Sequence, residues 1–186
     1  MKKLDIGCGK NKIPNADGID MISFLNVKYV HDLNIYPYPI KSNSYDEIYC
    51  YHILEHVNDM VKTMQEIHRI GKKNAKVYIR GPHCSCSSTV WIDPTHKRGL
   101  SLRMFTDYFT SEGIWSYYSN LKFQIDKLKL HYVLSQNRFR IPVFISSLLS
   151  SIANLNRFSQ ELCERLWAGW VGGFEEIEVV LKIQKK

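Results

Sequence analysis

The chain has 186 residues, 45% of them hydrophobic and 23% charged, which excludes wholesale disorder and suits one domain with a sizeable core. Its formal charge of +7 favours anionic partners, but no glycine-and-aromatic signature of RNA binding accompanies the lysines and arginines. These gather at Lys122 to Lys129, Arg138 to Arg140 and Lys182 to Lys186. No apolar run is long enough for a transmembrane segment, and five cysteines without a regular framework read as reduced thiols. The first strand starts almost at once, where a signal peptide would stand, so a cytoplasmic location is expected.

Lys3–Ile6 reads as a strand that runs straight into Gly7-Cys8-Gly9. Gly7 lets the chain turn sharply, and Gly9 lets backbone approach a ligand where a Cβ would collide. Ala16–Ile19 reads as the second strand, stopped by Asp20. Only Gly7 to Asn15 separate the two, whereas a usual βαβ unit takes about 30 residues, so the first crossover helix is expected to be reduced or missing. Lys28–Val30 reads as a third strand ending at His31-Asp32-Leu33. Strands ending in glycines and then in carboxylates are how a parallel sheet holds a nucleoside.

Tyr36-Pro-Tyr-Pro39 reads as extended loop, and Ser44–Tyr51 as a fourth strand. Asn58 or Asp59 can cap a helix running to about Ile70, ended by Gly71. Lys76–Arg80 reads as a fifth strand, and Phe105–Phe109 as the start of another helix. Leu121–Leu134 and Phe174–Ile183 alternate apolar and polar residues, as an antiparallel hairpin at a sheet edge would; a slip near Lys127 marks a bulge. Between them, 142–170 reads as a helical excursion with a broad apolar face, suited to a lid, a homodimer surface, core packing or, last for want of a Lys/Arg stripe, a shallow membrane contact. No internal repeat or domain boundary interrupts 1–186, which reads as a single domain.

Leu4-Asp-Ile-Gly-Cys-Gly9, Gly18-Ile-Asp20, His31-Asp32-Leu33, Tyr45-Asp-Glu-Ile48 with Leu54-Glu-His56, and Glu66-Ile-His-Arg69 fall in order. This set resembles the class I S-adenosylmethionine-dependent methyltransferases. The resemblance implies an α/β, Rossmann-like sheet of seven strands, mostly parallel, with an antiparallel terminal hairpin. It implies S-adenosylmethionine as cofactor, with Asp5, Gly7, Cys8, Gly9 and Met21 around it. Asp20 would bind the ribose, Asp32 and a backbone N–H near Leu33 the adenine, and Lys12 the methionine carboxylate. Tyr51 and His52 would lie near the sulfonium. The chain departs from the family in lacking a third glycine and the first helix. Both departures tell against a dinucleotide dehydrogenase, whose pyrophosphate wants a helix N-terminus.

Acceptors in this family approach over the ends of strands four and five, which here carry His52, Glu55 and His56, then His83, Cys84 and Cys86. Asp93-Pro-Thr-His96 resembles a segment of some small bacterial methyltransferases. His96 or His83 is the candidate base, with Asp93 as its orienter; the structural alternative is a plain turn. His83, Cys84, Cys86 and His96 also look like soft metal ligands, but the spacing is tight and lacks a second cysteine pair, so no metal is expected. Cys84 or Cys86 as a nucleophile would need activation that nothing signals. The expected acceptor is a small molecule or saccharide. An RNA substrate is supported only by charge, DNA is disfavoured, and a non-catalytic cofactor-binding partner subunit is the reading of another class.

Overall fold

The computed structural model describes residues 1–118, 121–132, 143–171 and 173–185. Seven strands form a single sheet: β1 (Lys3–Ile6), β2 (Ala16–Asp20), β3 (Tyr29–Val30), β4 (Tyr45–Tyr51), β5 (Gly71–Pro82), β6 (Phe123–His131) and β7 (Glu176–Ile183). Their order is β3-β2-β1-β4-β5-β7-β6. The first five run parallel, and β7 inserts antiparallel between β5 and β6. This is the Rossmann-like sheet that the sequence implied, with the terminal hairpin in place.

No helix occurs before α1 (Met60–Ile70), so the connections at 7–15, 21–28 and 31–44 are all loops. The first crossover helix is absent, as its length required. Asp5 takes over part of its work: the buried carboxylate accepts the Ile13 N–H at 2.8 Å and pins the short connection under β1. Burial raises the Asp5 carboxyl, against the lowering effect of that bond.

One face of the sheet is apolar. Tyr45, Ile48 and Cys50 of β4 and Ile177, Val179, Leu181 and Ile183 of β7 are fully buried there. Helix α1 lays Met64, Ile67 and Ile70 against this core, each such side chain contributing roughly 1.5–3 kcal/mol. Asp59 starts α1 by accepting the Lys62 N–H at 3.0 Å. The opposite face alternates out of the core. There Tyr49 stacks on Tyr78 with ring centres 4.8 Å apart, and the Arg80 guanidinium lies 5.3 Å from the Tyr51 ring centre.

The β6–β7 register shifts between Ile125 and Lys127, which is the expected bulge. Two elements differ from expectation. β5 begins at Gly71, not Lys76, because Gly71 leaves the helix directly in extended conformation (φ −72°, ψ 147°). The helix expected over Phe105–Phe109 is a π-helical turn at Met104–Tyr108. The expected strand end at 133–134, the basic residues at 138–140 and position 142 lie outside the described residues.

After β5 comes the short α2 (Ser87–Val90). The excursion holds α3 (Val143–Ala153), α4 (Arg157–Leu162), a π-helical turn (Cys163–Trp167) and α5 (Ala168–Val171). Ala153 and Cys163 join the core, but Phe144, Leu155, Phe158 and Leu166 stay exposed. No described helix is long and apolar enough to cross a membrane.

Candidate active site

β1 ends in Gly7, whose φ of +67° suits glycine and whose N–H donates to the Ile19 carbonyl at 2.9 Å. A methyl group at Gly7 would lie 2.5 Å from Ile53 Cδ1, so the position must also stay bare for steric reasons. Asp20, at the end of β2, accepts the Gly9 N–H on Oδ2 at 2.9 Å and the Ile22 N–H on Oδ1 at 2.9 Å. One carboxylate thus ties two loops together. Each oxygen retains a lone pair for a further donor such as a sugar hydroxyl.

Beyond β3, Asp32 accepts the Asn34 N–H and side-chain amide, both on Oδ1 at 2.9 Å, so neither of these bonds occupies Oδ2. Leu33 is buried and its carbonyl accepts the Tyr38 hydroxyl at 3.1 Å. Gly7, Asp20, Met21, Ile22, Asp32, Leu33 and Asn34 line a cavity of about 560 Å³. The same cavity is lined by His52, Ile53, His56, Val57, Pro94, Thr95, His96 and Lys97. That volume is within the range of small-ligand sites.

His52 stands just past β4 with φ +52°, held by its N–H bond to the Arg80 carbonyl at 2.9 Å. Its Nε2 is 3.7 Å from Glu176 Oε2 and its Nδ1 3.6 Å from Glu55 Oε1. These carboxylates, Glu176 foremost, push the imidazole up to about 9. Glu55 is fully buried and neither of its oxygens has a hydrogen-bond partner, a rare condition for a carboxylate.

The segment carrying His96 docks on the loop after β4. The Lys97 N–H donates to the Glu55 carbonyl at 2.8 Å, and Arg98 donates to the carbonyls of Val57 at 2.7 Å and Asn58 at 3.0 Å. His96 Nδ1 is 2.6 Å from the Val90 carbonyl. A carbonyl only accepts, so this pairing assigns the hydrogen to Nδ1. His96 Nε2 lies 4.0 Å from Glu55 Oε1. His56 packs edge-on to His96, ring centres 4.6 Å apart.

Asp93 does not touch the His96 ring. Its Oδ1 accepts the Thr95 N–H at 2.8 Å and the Thr95 hydroxyl at 2.7 Å, bonds that lower the Asp93 carboxyl. The Thr95 oxygen lies 2.9 Å from His56 Nδ1, so the Asp93 chain leads to His56 instead. His83 is not brought to the cavity either. It is fully buried, with Nδ1 2.7 Å from Ser85 Oγ and Nε2 3.0 Å from Glu164 Oε1. Burial pushes the Cys84 thiol up to about 11, the opposite of an activated nucleophile.

Five expected cofactor residues also stand outside the cavity lining. Asp5 holds Ile13, as above. Cys8 is buried beside Gly18, its thiol pushed up to about 11 by burial. Lys12 turns back, its ammonium donating to the Ala16 carbonyl, and with Gly9 it lines a side pocket of about 330 Å³. Tyr51 sits under Arg80 on the polar sheet face. The sequence reading gave no role to Ile22, Asn34, Ile53, Thr95 or Lys97. For Glu55 and His56 the signal was their place after strand four, but only the return of loop 93–98 brings them to His96.

Residues 4–79, β1 to most of β5, match the family described as a methyltransferase domain. No curated protein matches the chain. Among solved structures, a SAM-dependent methyltransferase from Archaeoglobus fulgidus is 16% identical, with 97% of this chain and 85% of that chain covered at a TM-score of 0.62. An S-adenosylmethionine-dependent methyltransferase from Mesorhizobium loti is 11% identical, with 97% of this chain and 90% of that chain covered at a TM-score of 0.57. At such identities the structural likeness establishes the fold. With the domain match over residues 4–79, it supports a class I S-adenosylmethionine-dependent methyltransferase with S-adenosylmethionine as cosubstrate.

Proposed function

We propose that the chain transfers the methyl group of S-adenosylmethionine to a hydroxyl of a small-molecule or saccharide-type acceptor. The observation that carries this reading is one cavity lined both by Asp20, Asp32 and Leu33 and by His52, His56 and His96. The carboxylates accept the ribose hydroxyls and the adenine amino group, and Leu33 covers the ring. Gly7 and Met21 border the methionine portion, and His52 the sulfonium. Asp5, Cys8, Gly9 and Lys12 shape the loop beneath.

In the transfer, the acceptor oxygen attacks the methyl carbon and an O–C bond forms. The S–C bond breaks with its electron pair on sulfur, giving S-adenosylhomocysteine. The hydroxyl loses its proton to His96 Nε2, the ring nitrogen left free by the Nδ1 bond to Val90, in the metal-free chain. Asp93 acts indirectly, by fixing Thr95 against His56.

The cavity size favours a compact acceptor. The alternative of an RNA acceptor rests on the net charge of +7, and that of a non-catalytic partner subunit on the exposed apolar residues of the excursion. The same residues support a homodimer. We read the chain as one domain and, from its free thiols, as cytoplasmic. Incubating the chain with methyl-labelled S-adenosylmethionine and cell extract tests the acceptor class. Label in small solutes that survives RNase supports the proposal; label lost with RNase supports RNA.

A further inference from the structure

We propose that Glu55, His56 and His96 form a site for one divalent first-row transition-metal cation, opening on the cavity beside His52. Ligand atoms of these three residues lie within 4.8 Å of one another. Glu55 is fully buried and its two oxygens have no hydrogen-bond donor. Leaving a buried carboxylate so costs stability unless a cation answers it.

The surrounding bonds point the same way. His96 gives its Nδ1 hydrogen to the Val90 carbonyl at 2.6 Å, which leaves the Nε2 lone pair 4.0 Å from Glu55 Oε1. Two lone-pair bearers thus face each other in a buried place, too far apart for a hydrogen bond between them. At His56 the Thr95 hydroxyl is committed as donor to Asp93 at 2.7 Å, so it accepts from Nδ1–H at 2.9 Å and frees the other ring nitrogen. Both imidazoles therefore have the outer hydrogen bond that holds metal-ligating histidines in one tautomer. His52 answers part of the Glu55 charge, but at 3.6 Å it donates no hydrogen bond. Two nitrogens and one oxygen suit zinc and its neighbours, and three protein ligands leave a position open toward the cavity.

Among the described residues the other cluster of this kind is His83, Cys84 and Glu164, whose imidazole and carboxylate are already paired. His83 bonds Glu164 at 3.0 Å, and Glu164 also accepts the Leu102 N–H at 3.0 Å.

Binding of the cation is independent of the function proposed above, but its use rests on that reading. With the cation bound, His96 Nε2 is a ligand and no longer a base: the cation would coordinate the acceptor oxygen, and the hydroxyl proton would leave to solvent water at the cavity mouth. Acceptors with a second oxygen beside the methylated hydroxyl would then be preferred, because they can chelate.

The test is titration of the full chain, stripped with a chelator, with Co²⁺ followed by visible absorption, then displacement by Zn²⁺ with metal counted by elemental analysis. One equivalent is expected, with binding at least tenfold weaker in Glu55→Gln and His96→Gln and unchanged in His131→Ala. Circular dichroism checks that each variant is folded; if Glu55→Gln is not, His56→Ala is read in its place. Absence of binding, or equal binding in the folded variants, overturns the proposal. Titrating S-adenosylmethionine into the metal-free chain separates the two readings. Loss of the cation site leaves nucleoside binding intact, and failure of the methyltransferase reading leaves metal binding intact.

Discussion

The Gly9 N–H and the Asp20 carboxylate meet at 2.9 Å across the ends of β1 and β2. That bond does in this chain part of what a crossover helix would otherwise do, and it fixes Asp20 in the cavity lining. This part of the cavity is therefore built from loop backbone and one carboxylate.

Gly7 and Gly9 should respond differently to alanine. Gly7→Ala meets both an unfavourable φ and Ile53 at 2.5 Å, so it should cost about 2–4 kcal/mol of stability. Gly9→Ala meets only the backbone penalty, roughly 1–2 kcal/mol, since nothing lies within 4 Å of its Cβ position. Urea denaturation measures both, and Ile53→Ala should recover part of the Gly7→Ala loss.

Glu66 should govern part of the acid stability. Burial pulls its carboxyl up, but the Arg69 bonds at 2.7 and 2.8 Å and the Tyr38 N–H at 2.6 Å outweigh burial, and the net shift is downward. A carboxyl lower in the folded than in the unfolded chain stabilises fully above its ordinary value of 4.5, and that stability is lost as pH falls through the folded value. Glu66→Gln should lose about 2–4 kcal/mol at pH 7 and show a flatter stability profile below pH about 4.5. Denaturation midpoints over a pH series measure this.

His96 and His83 should separate by readout. His96→Ala should lower methyl transfer by about 10²- to 10⁴-fold while leaving S-adenosylmethionine affinity within about twofold. His83→Ala should lose roughly 1–3 kcal/mol of stability, because Glu164 and Ser85 lose a buried partner, yet keep turnover per folded molecule. Label transfer and thermal melts on the same preparations decide between them.

Much of the fold could be read from the chain because strands announce themselves by period and by what stops them. Gly7, Asp20 and Asp32 mark three strand ends, and even the Lys127 bulge shows as a slip in alternation. β5 is longer than its apolar pattern shows, because Gly71 both stops the helix and, with its extended backbone, is the strand's first residue. The site was half legible for a related reason. Position after a strand brings Asp20, Asp32 and His52 to the rim, but it does not tell which way a loop side chain turns. Lys12 folds back to Ala16, Asp93 serves Thr95, and His83 points inward to Glu164. Each choice is made by a partner distant in sequence.

The most direct test of the account is calorimetric titration of S-adenosylmethionine into the wild-type chain and Asp20→Asn. Asp20→Asn keeps the shape of the side chain but removes the charged acceptor of the sugar hydroxyls, at about 1.5–3 kcal/mol per charged hydrogen bond. The account predicts one-to-one binding to the wild-type chain, weakened by about ten- to a hundredfold or more in the folded variant. Equal affinity of the two, or no binding to the wild-type chain, would contradict it.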